Sequence, residues 1–243
     1  MTTPAVRTAV IIGAGPGLGM SIAHRFGREG YLPVLVSRSE ARHAGYLTSL
    51  AGAGIEADSF AADVRDPGQV RSILDAIVAR HGVIELLYYG PATVDPAALP
   101  KPITETDSAA VHEAMSWVYP ATDIASQILP AMIERGSGGL LFAGGLSAIH
   151  PMPALGALTV ASAALRNYAL TLHAGLTGTG VYAGTLTIGG LIERGDIHRF
   201  VTSQPGRFAG SGVASLSPDE IADAAWDLYT GRDRPEATFS AFG

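Results

Sequence analysis

Short apolar runs alternate with longer amphipathic segments along most of the chain. The apolar runs are rich in β-branched residues and predict buried strands at residues 8–12, 33–37, 55–62, 84–89, 139–143, 181–188 and 236–242. Helix-length segments separate most successive strands. Because parallel strands need crossover connections, this alternation predicts about seven mostly parallel strands in one sheet, with helices on both of its faces.

Polar residues and prolines mark the predicted helix ends. The sequence Asp-Pro-Gly-Gln at residues 66–69 combines an N-cap acid, a proline at the first helical position and a capping-box partner. Residues 106–135 predict a long helical region that Pro120 and Pro130 interrupt, and residues 154–176 predict a second long helix that is rich in alanine. The segments between the strands are therefore helical crossovers.

Composition indicates one compact α/β domain. The 243 residues are 47% hydrophobic, which is enough for a large core, and they contain no linker or repeat. We predict a single doubly wound domain of Rossmann type over residues 1–243. One insertion, roughly residues 195–216, is long for a loop and is therefore a candidate lid.

Charge and cysteine content limit the classes of binding partner and the cellular location that we expect. A formal charge of −6 without a run of Lys or Arg offers no electrostatic footprint for nucleic acid or an anionic membrane, and no stretch is apolar enough for a membrane span. The chain has no cysteine, and its polar N-terminal stretch is too short for a signal peptide. We therefore expect a cytoplasmic protein that uses a small-molecule substrate and no metal.

A glycine-rich loop joins the first predicted strand to the first predicted helix. It contains Gly13, Gly15, Gly17 and Gly19. Glycines at such a turn let the backbone approach a diphosphate, which the N–H groups of the helix N-terminus then bind. A glycine loop alone also fits a tight turn without a ligand, so the interpretation depends on the wider pattern.

The wider pattern resembles the short-chain dehydrogenase/reductase family. Besides the glycine spacing, the chain has Asp63-Val64 after the third predicted strand and Leu129-Pro130 before the fifth, and the likeness covers almost its whole length. The resemblance implies a nicotinamide cofactor and a homodimer or homotetramer. It assigns cofactor binding to Gly13, Gly15, Gly17, Leu18, Gly19, Ser37, Arg38, Asp63, Val64, Gly90 and Ile192. Asp63 could instead cap its own loop.

Residues at the end of the second predicted strand discriminate between NAD(H) and NADP(H). An acid there accepts a hydrogen bond from the ribose of NAD, whereas an arginine meets the 2′-phosphate of NADP. This chain has Ser37-Arg38, which removes the repulsion of a carboxylate and adds a bidentate donor. The pair predicts NADP(H), although Arg38 in a solvated loop would look the same in the sequence.

The catalytic Tyr-x3-Lys motif of the family is missing. Aligning the helix after the fifth strand puts Leu158 and Ser162 at the Tyr and Lys positions, and Gly145 and Trp117 at the Ser and Asn positions. Leucine has no proton to give, and serine has no charge with which to lower a neighbouring pKa. The single lysine of the sequence, Lys101, precedes the long central helix, so no shift of the alignment restores the motif.

Other residues near the expected pocket are candidates for chemistry. Ser147 and His150 follow the fifth predicted strand, where a hydroxyl and an imidazole could act on a substrate. Each is also compatible with a structural role. The expected pocket walls favour a small apolar or cyclic molecule, and they are formed by Tyr89, Trp117, Gly145, Met152 and Leu158.

Two functions are compatible with these residues. The first is an atypical enzyme of this family that keeps NADP(H) and performs an oxidoreductase-like or non-redox tailoring step. The second is a catalytically inactive pseudoenzyme that senses cofactor or forms a hetero-oligomer with an active relative. A fold alone does not decide between them, because function depends on the site. A cofactor-free enzyme that reuses the pocket is a third interpretation.

Overall fold

A parallel sheet of seven strands lies at the centre of the computed structural model, which describes residues 7–91, 100–206 and 214–242. The strands of this sheet are β1 (Arg7–Ile12), β2 (Tyr31–Ser37), β3 (Asp58–Ala61), β4 (Ile84–Tyr89), β5 (Gly138–Gly145), β6 (Val181–Gly189) and β9 (Glu236–Ser240). Their spatial order is β3-β2-β1-β4-β5-β6-β9. Two short strands, β7 (Leu191–Ile192) and β8 (Ser215–Leu216), pair separately from the sheet.

Helices cover both faces of the sheet. They are α1 (Leu18–Arg28), α2 (His43–Gly52), α3 (Pro67–His81), α4 (Ser108–Met115), α5 (Tyr119–Arg135), α6 (Ala157–Gly175), α7 (Asp196–Thr202) and α8 (Pro218–Gly231). One core cluster packs α1, α2 and α8 against the sheet, and the other packs α3, α4, α5 and α6 against its opposite face. The predicted fold class is confirmed. None of the described helices has the length and apolarity needed to cross a membrane.

The third strand is shorter than the sequence pattern predicts. Ile55 lies in the turn that follows α2, where its N–H group donates to the Leu50 carbonyl of the helix and its side chain is buried. Pairing with β2 begins only at Asp58. The apolar run at residues 55–62 thus begins in the turn after α2 and continues into an edge strand, two parts that a pattern of buried residues does not distinguish.

The long predicted helical region is two helices. α4 ends at Met115 and α5 begins at Tyr119, so Pro120 lies in the first turn of α5, where a missing N–H group costs nothing. Pro130 remains inside α5. Pro120, which the sequence pattern predicts to interrupt a helix, therefore lies at the start of one.

The predicted cap of α3 is confirmed, with one difference. Asp66 accepts hydrogen bonds from the N–H groups of Gly68 and Gln69, and Pro67 occupies the first turn. The Gln69 side chain does not return to the Asp66 N–H group. It donates to the Asp66 carboxylate and accepts from the Asp63 N–H group, which stabilises the loop after β3.

A half-buried ion pair fastens α6 to the last strand. Arg166 Nε and Nη2 donate to the two Glu236 carboxylate oxygens at 2.7 and 2.6 Å, and the Thr187 hydroxyl donates to one of them at 2.6 Å. The hydrogen bond from Arg166 lowers the pKa of Glu236 below its usual 4.5 and outweighs the opposite effect of burial. The pair holds the helix that carries Leu158 and Ser162 against the sheet.

We expect Glu236→Gln to lower the free energy of unfolding by about 1–3 kcal/mol at pH 7, because a half-buried guanidinium loses its charged partner. A carboxylate with a lowered pKa contributes stability above its unfolded pKa and loses it as the pH falls through the folded value. Urea titrations at pH 7 and pH 3.5 should therefore show a smaller difference between variant and parent at the acidic pH.

The exposed pair of Asp233 with Arg234 provides the control for this prediction. Asp233→Asn should change the unfolding free energy by less than about 1 kcal/mol at either pH, because water screens such a pair. A Glu236→Gln effect that is the same at both pH values would contradict the electrostatic explanation.

Candidate functional site

A cleft runs along the carboxyl ends of the strands, beside the boundary of β1 and β4 where the strand order reverses. Gly13, Gly15 and Pro91 line both of its halves. We call the half beside Arg38 the arginine end, with a volume of about 420 Å³. We call the half beside Ile192 the lid end, with a volume of about 320 Å³. Apart from Asp63, the predicted cofactor residues thus line one cleft.

The glycine loop forms an open cradle in this cleft. A Cβ atom on Gly19 would lie 2.5 Å from the Gly13 carbonyl oxygen, so this position requires glycine. A Cβ atom on Gly15 would meet nothing closer than 3.9 Å. The loop leads directly into α1 at Leu18. The N-terminus of this helix and its unpaired N–H groups therefore face the cleft.

The arginine end presents one guanidinium without a carboxylate partner. Arg38 is exposed, and no described residue forms an ion pair or hydrogen bond with it. Its Cζ atom lies 5.6 Å from the ring centroid of Trp117. The Ser37 hydroxyl is already used, because it donates to the Ser39 carbonyl at 3.0 Å and lies 2.7 Å from His43 Nε2.

The two arginines near Arg38 are bound to carboxylates. Arg42 Nη1 donates to Asp196 at 2.7 Å, and this hydrogen bond raises the pKa of Arg42. Arg65 Nη2 lies 3.2 Å from Asp63 Oδ2, and Asp63 also accepts from the Arg65 N–H group. Asp63 therefore caps its own loop, as the alternative interpretation held, while the adjacent Val64 lines the cleft. Adenine binding by Asp63 stays a prediction.

A small cavity of about 130 Å³ joins the positions at which the family pattern places its catalytic side chains. Trp117, Gly145, Leu158 and Ser162 all line it. A Cβ atom on Gly145 would lie 3.1 Å from Ser162 Oγ. Tyr89 also lines the cavity, and its hydroxyl donates to the Trp117 carbonyl at 2.6 Å. The structure thus brings four of the five predicted pocket residues together.

Ser147 and His150 follow β5 and differ in burial. A Cβ atom on Gly145 would lie 3.3 Å from Ser147 Oγ, which places this buried serine beside the cavity. His150 is exposed and lines a surface groove with Met152, and Ser147 also lines this groove. Ser147 lies within a helical turn over Leu146–Ala148, and His150 follows that turn. Chemical roles for Ser147 and His150, and a substrate contact for Met152, stay predictions.

The candidate lid begins with a helix. α7 opens at Asp196, whose carboxylate reaches Arg42 on the other side of the arginine end. His198 lines the lid end, and its Nε2 atom lies 3.1 Å from Ser215 Oγ in β8. Residues 207–213 of the candidate lid lie outside the described residues. Closure of this segment stays a prediction.

Sequence reasoning missed Arg42, Asp196 and His198. Arg42 and Asp196 are 154 residues apart, and no local pattern pairs them. His198 lies inside the insertion that was assigned only as a lid. Within the described ranges, no group of three or more His, Asp or Glu side chains is arranged to hold a metal ion.

Comparisons with known proteins agree with this architecture. A family model described as short chain dehydrogenase matches residues 7–193. The chain is 28% identical over 235 residues to 1-deoxy-11-beta-hydroxypentalenate dehydrogenase of Streptomyces avermitilis, covering 93% of this chain and 82% of that protein. It is also 30% identical over 143 residues to a protein of Streptomyces coelicolor described as a ketoacyl reductase, covering 58% of this chain and about half, 54%, of that relative.

Solved structures show the same fold. A variant of actinorhodin polyketide ketoreductase with NADPH superposes with a TM-score of 0.84 at 20% identity, over 100% of this chain and 98% of that one. A metagenomic short-chain oxidoreductase in complex with NADP superposes with a TM-score of 0.78 at 20% identity, over 97% of each chain. At this level of identity, these likenesses concern the fold.

Proposed function

The chain belongs to the short chain dehydrogenase family, and we propose that it is an oxidoreductase-like enzyme that binds NADP(H) and acts on a small apolar or cyclic molecule. The observation that carries this proposal is the cleft itself. An open glycine cradle leads into α1, and the unpaired Arg38 guanidinium stands at one end of it. Relatives whose structures contain NADP or NADPH support the same cofactor.

The residues of the cleft fit this cofactor. Arg38 would hold the 2′-phosphate, because it forms no ion pair or hydrogen bond with a described carboxylate and a serine precedes it. The Gly15 cradle and the N-terminus of α1 would hold the diphosphate. When bound, NADPH supplies a hydride to an acceptor.

The cavity beside the cleft would take the reacting part of the substrate. Trp117 and Leu158 supply apolar walls, and the hydroxyls of Ser147 and Ser162 flank Gly145. Such hydroxyls stay protonated near neutral pH, so they would polarise a carbonyl by hydrogen bonding but would not release a proton readily. We therefore propose an atypical reaction in which the substrate needs little help from an acid.

A second candidate function rests on the same cavity. Its only titratable side chain among the described residues is Tyr89, whose pKa is raised by burial and whose hydroxyl is bound to the Trp117 carbonyl. A cavity without an acid or base favours a pseudoenzyme that keeps cofactor binding and has lost turnover. We propose homodimer or homotetramer assembly for the enzyme, and a hetero-oligomer with an active relative for the pseudoenzyme.

Deuterium transfer separates the two functions. The purified protein is incubated with NADPH deuterated at C4 and a panel of cyclic ketones, and mass spectrometry measures deuterium in the products. We expect transfer about 10²- to 10⁴-fold slower than a turnover of roughly 10 s⁻¹, because a positioned acid usually contributes that factor. NADPH binding without transfer to any ketone would instead support the pseudoenzyme.

Matched variants identify the residue that assists transfer. Ser147→Ala should lower the deuterium transfer rate more than His150→Ala, because the buried Ser147 hydroxyl lies beside Gly145, whereas the His150 side chain is exposed in the groove that both residues line. The opposite ranking would assign the chemistry to His150.

A further inference from the structure

Tyr88 places a hydroxyl at the lid end of the cleft. It is the penultimate residue of β4, on the sheet face that packs against α1 and α8, and it is 1% exposed. Its hydroxyl packs directly against the Cα atom of Gly90, the residue that follows the strand. Tyr88 lines the lid end together with Gly90, Gly145 and Ile192.

This hydroxyl has no hydrogen-bond partner among the residues that the structure describes. Burial alone raises the pKa of Tyr88, with no contribution from a neighbouring charge. The Tyr88 hydroxyl is not among the fully buried side-chain atoms that lack a partner, so its oxygen keeps contact with the open space of the lid end, where a bound molecule could accept its hydrogen bond. The adjacent Tyr89 differs, because its hydroxyl donates to a backbone carbonyl at 2.6 Å.

We propose that the Tyr88 hydroxyl donates a hydrogen bond to an oxygen atom in the nicotinamide mononucleotide half of NADP(H). This inference rests on the proposed function. With Arg38 at the 2′-phosphate, the adenosine occupies the arginine end, and the other half of the dinucleotide occupies the lid end that Tyr88 lines. A phenol that stays protonated is a donor to the oxygen atoms that this half presents.

Calorimetric titration of Tyr88→Phe with two ligands tests the proposal. NADPH contains both halves of the dinucleotide, whereas adenosine 2′,5′-bisphosphate contains only the half that binds at the arginine end. We expect Tyr88→Phe to lower NADPH affinity by about threefold to tenfold, the usual effect of one hydrogen bond, and to leave adenosine bisphosphate affinity unchanged. Removing an unpaired hydroxyl should not lower the thermal midpoint of the free protein, which differential scanning calorimetry checks.

Tyr89→Phe is the matched control, because it removes a neighbouring hydroxyl that is already bound to the Trp117 carbonyl. It should lower thermal stability without discriminating between the two ligands. Equal losses of both ligands in Tyr88→Phe, or no loss of either, would overturn the role of Tyr88 while leaving the proposed function intact. If the parent protein binds neither ligand, both the proposed function and this inference are wrong.

Discussion

Replacing Arg38 with glutamine is expected to lower NADPH affinity by about 10- to 100-fold and to leave NADH affinity within about twofold. A guanidinium bound to phosphate forms charge-assisted hydrogen bonds, each worth about 1.5–3 kcal/mol. NADH has no 2′-phosphate, so its complex contains no such hydrogen bonds and the substitution removes none. Fluorescence titration measures both affinities. Trp117 reports directly on the site, because it lines the arginine end, whereas Trp226 packs beneath α1 on the other face.

Arg65→Gln is the matched control for this variant. Both guanidinium groups lie against the Trp117 ring, with Arg65 Cζ at 4.8 Å and Arg38 Cζ at 5.6 Å from its centroid. Arg65 is already bound to Asp63, so its removal changes the stacking and the net charge without removing the proposed phosphate ligand. A loss of NADPH affinity in Arg65→Gln as large as that in Arg38→Gln would contradict a specific contact with the 2′-phosphate.

The fold was predictable because its determinants are local. Apolar runs of strand length, the cap at Asp66 and the glycine loop each act within a few residues, and each lies where the pattern places it. Errors occurred where two elements share one apolar run. Ile55 lies in the turn after α2 and not in β3, and Pro120 lies in the first turn of α5, because apolar spacing alone does not fix where one element ends and the next begins.

The site was only partly predictable because its contacts are distant in sequence. Arg42 and Asp196 meet across the cleft only after β2 and α7 are both in place. Tyr88 and Tyr89 are adjacent in sequence, yet alternation along β4 directs them to opposite faces, and the sequence does not show which face lies beside the cleft. After Gly145, a helical turn buries Ser147 and the chain beyond it leaves His150 exposed, a difference that the sequence does not show.

Gly13 follows β1 at the start of the glycine loop, and it packs against Gly90, which follows the neighbouring strand β4. Its φ is +92°, a conformation that side-chain-bearing residues rarely adopt, and a Cβ atom there would collide with the Gly90 carbonyl. Neither backbone can move away easily. The Gly13 N–H group donates to the Val36 carbonyl at 3.0 Å, and the Gly90 N–H group donates to the Ile12 carbonyl at 2.9 Å.

We expect Gly13→Ala to lower the free energy of unfolding by at least about 3 kcal/mol, because strain and collision add at a backbone that is fixed on both sides. For a chain of this length, the thermal midpoint should fall by roughly 6–12 °C in differential scanning calorimetry. Gly15→Ala is the control, since its Cβ atom would meet nothing closer than 3.9 Å, and it should change the unfolding free energy by less than about 0.5 kcal/mol. Equal destabilisation by the two substitutions would mean that the loop tolerates no side chain anywhere, and that the contact of Gly13 with Gly90 is not the cause.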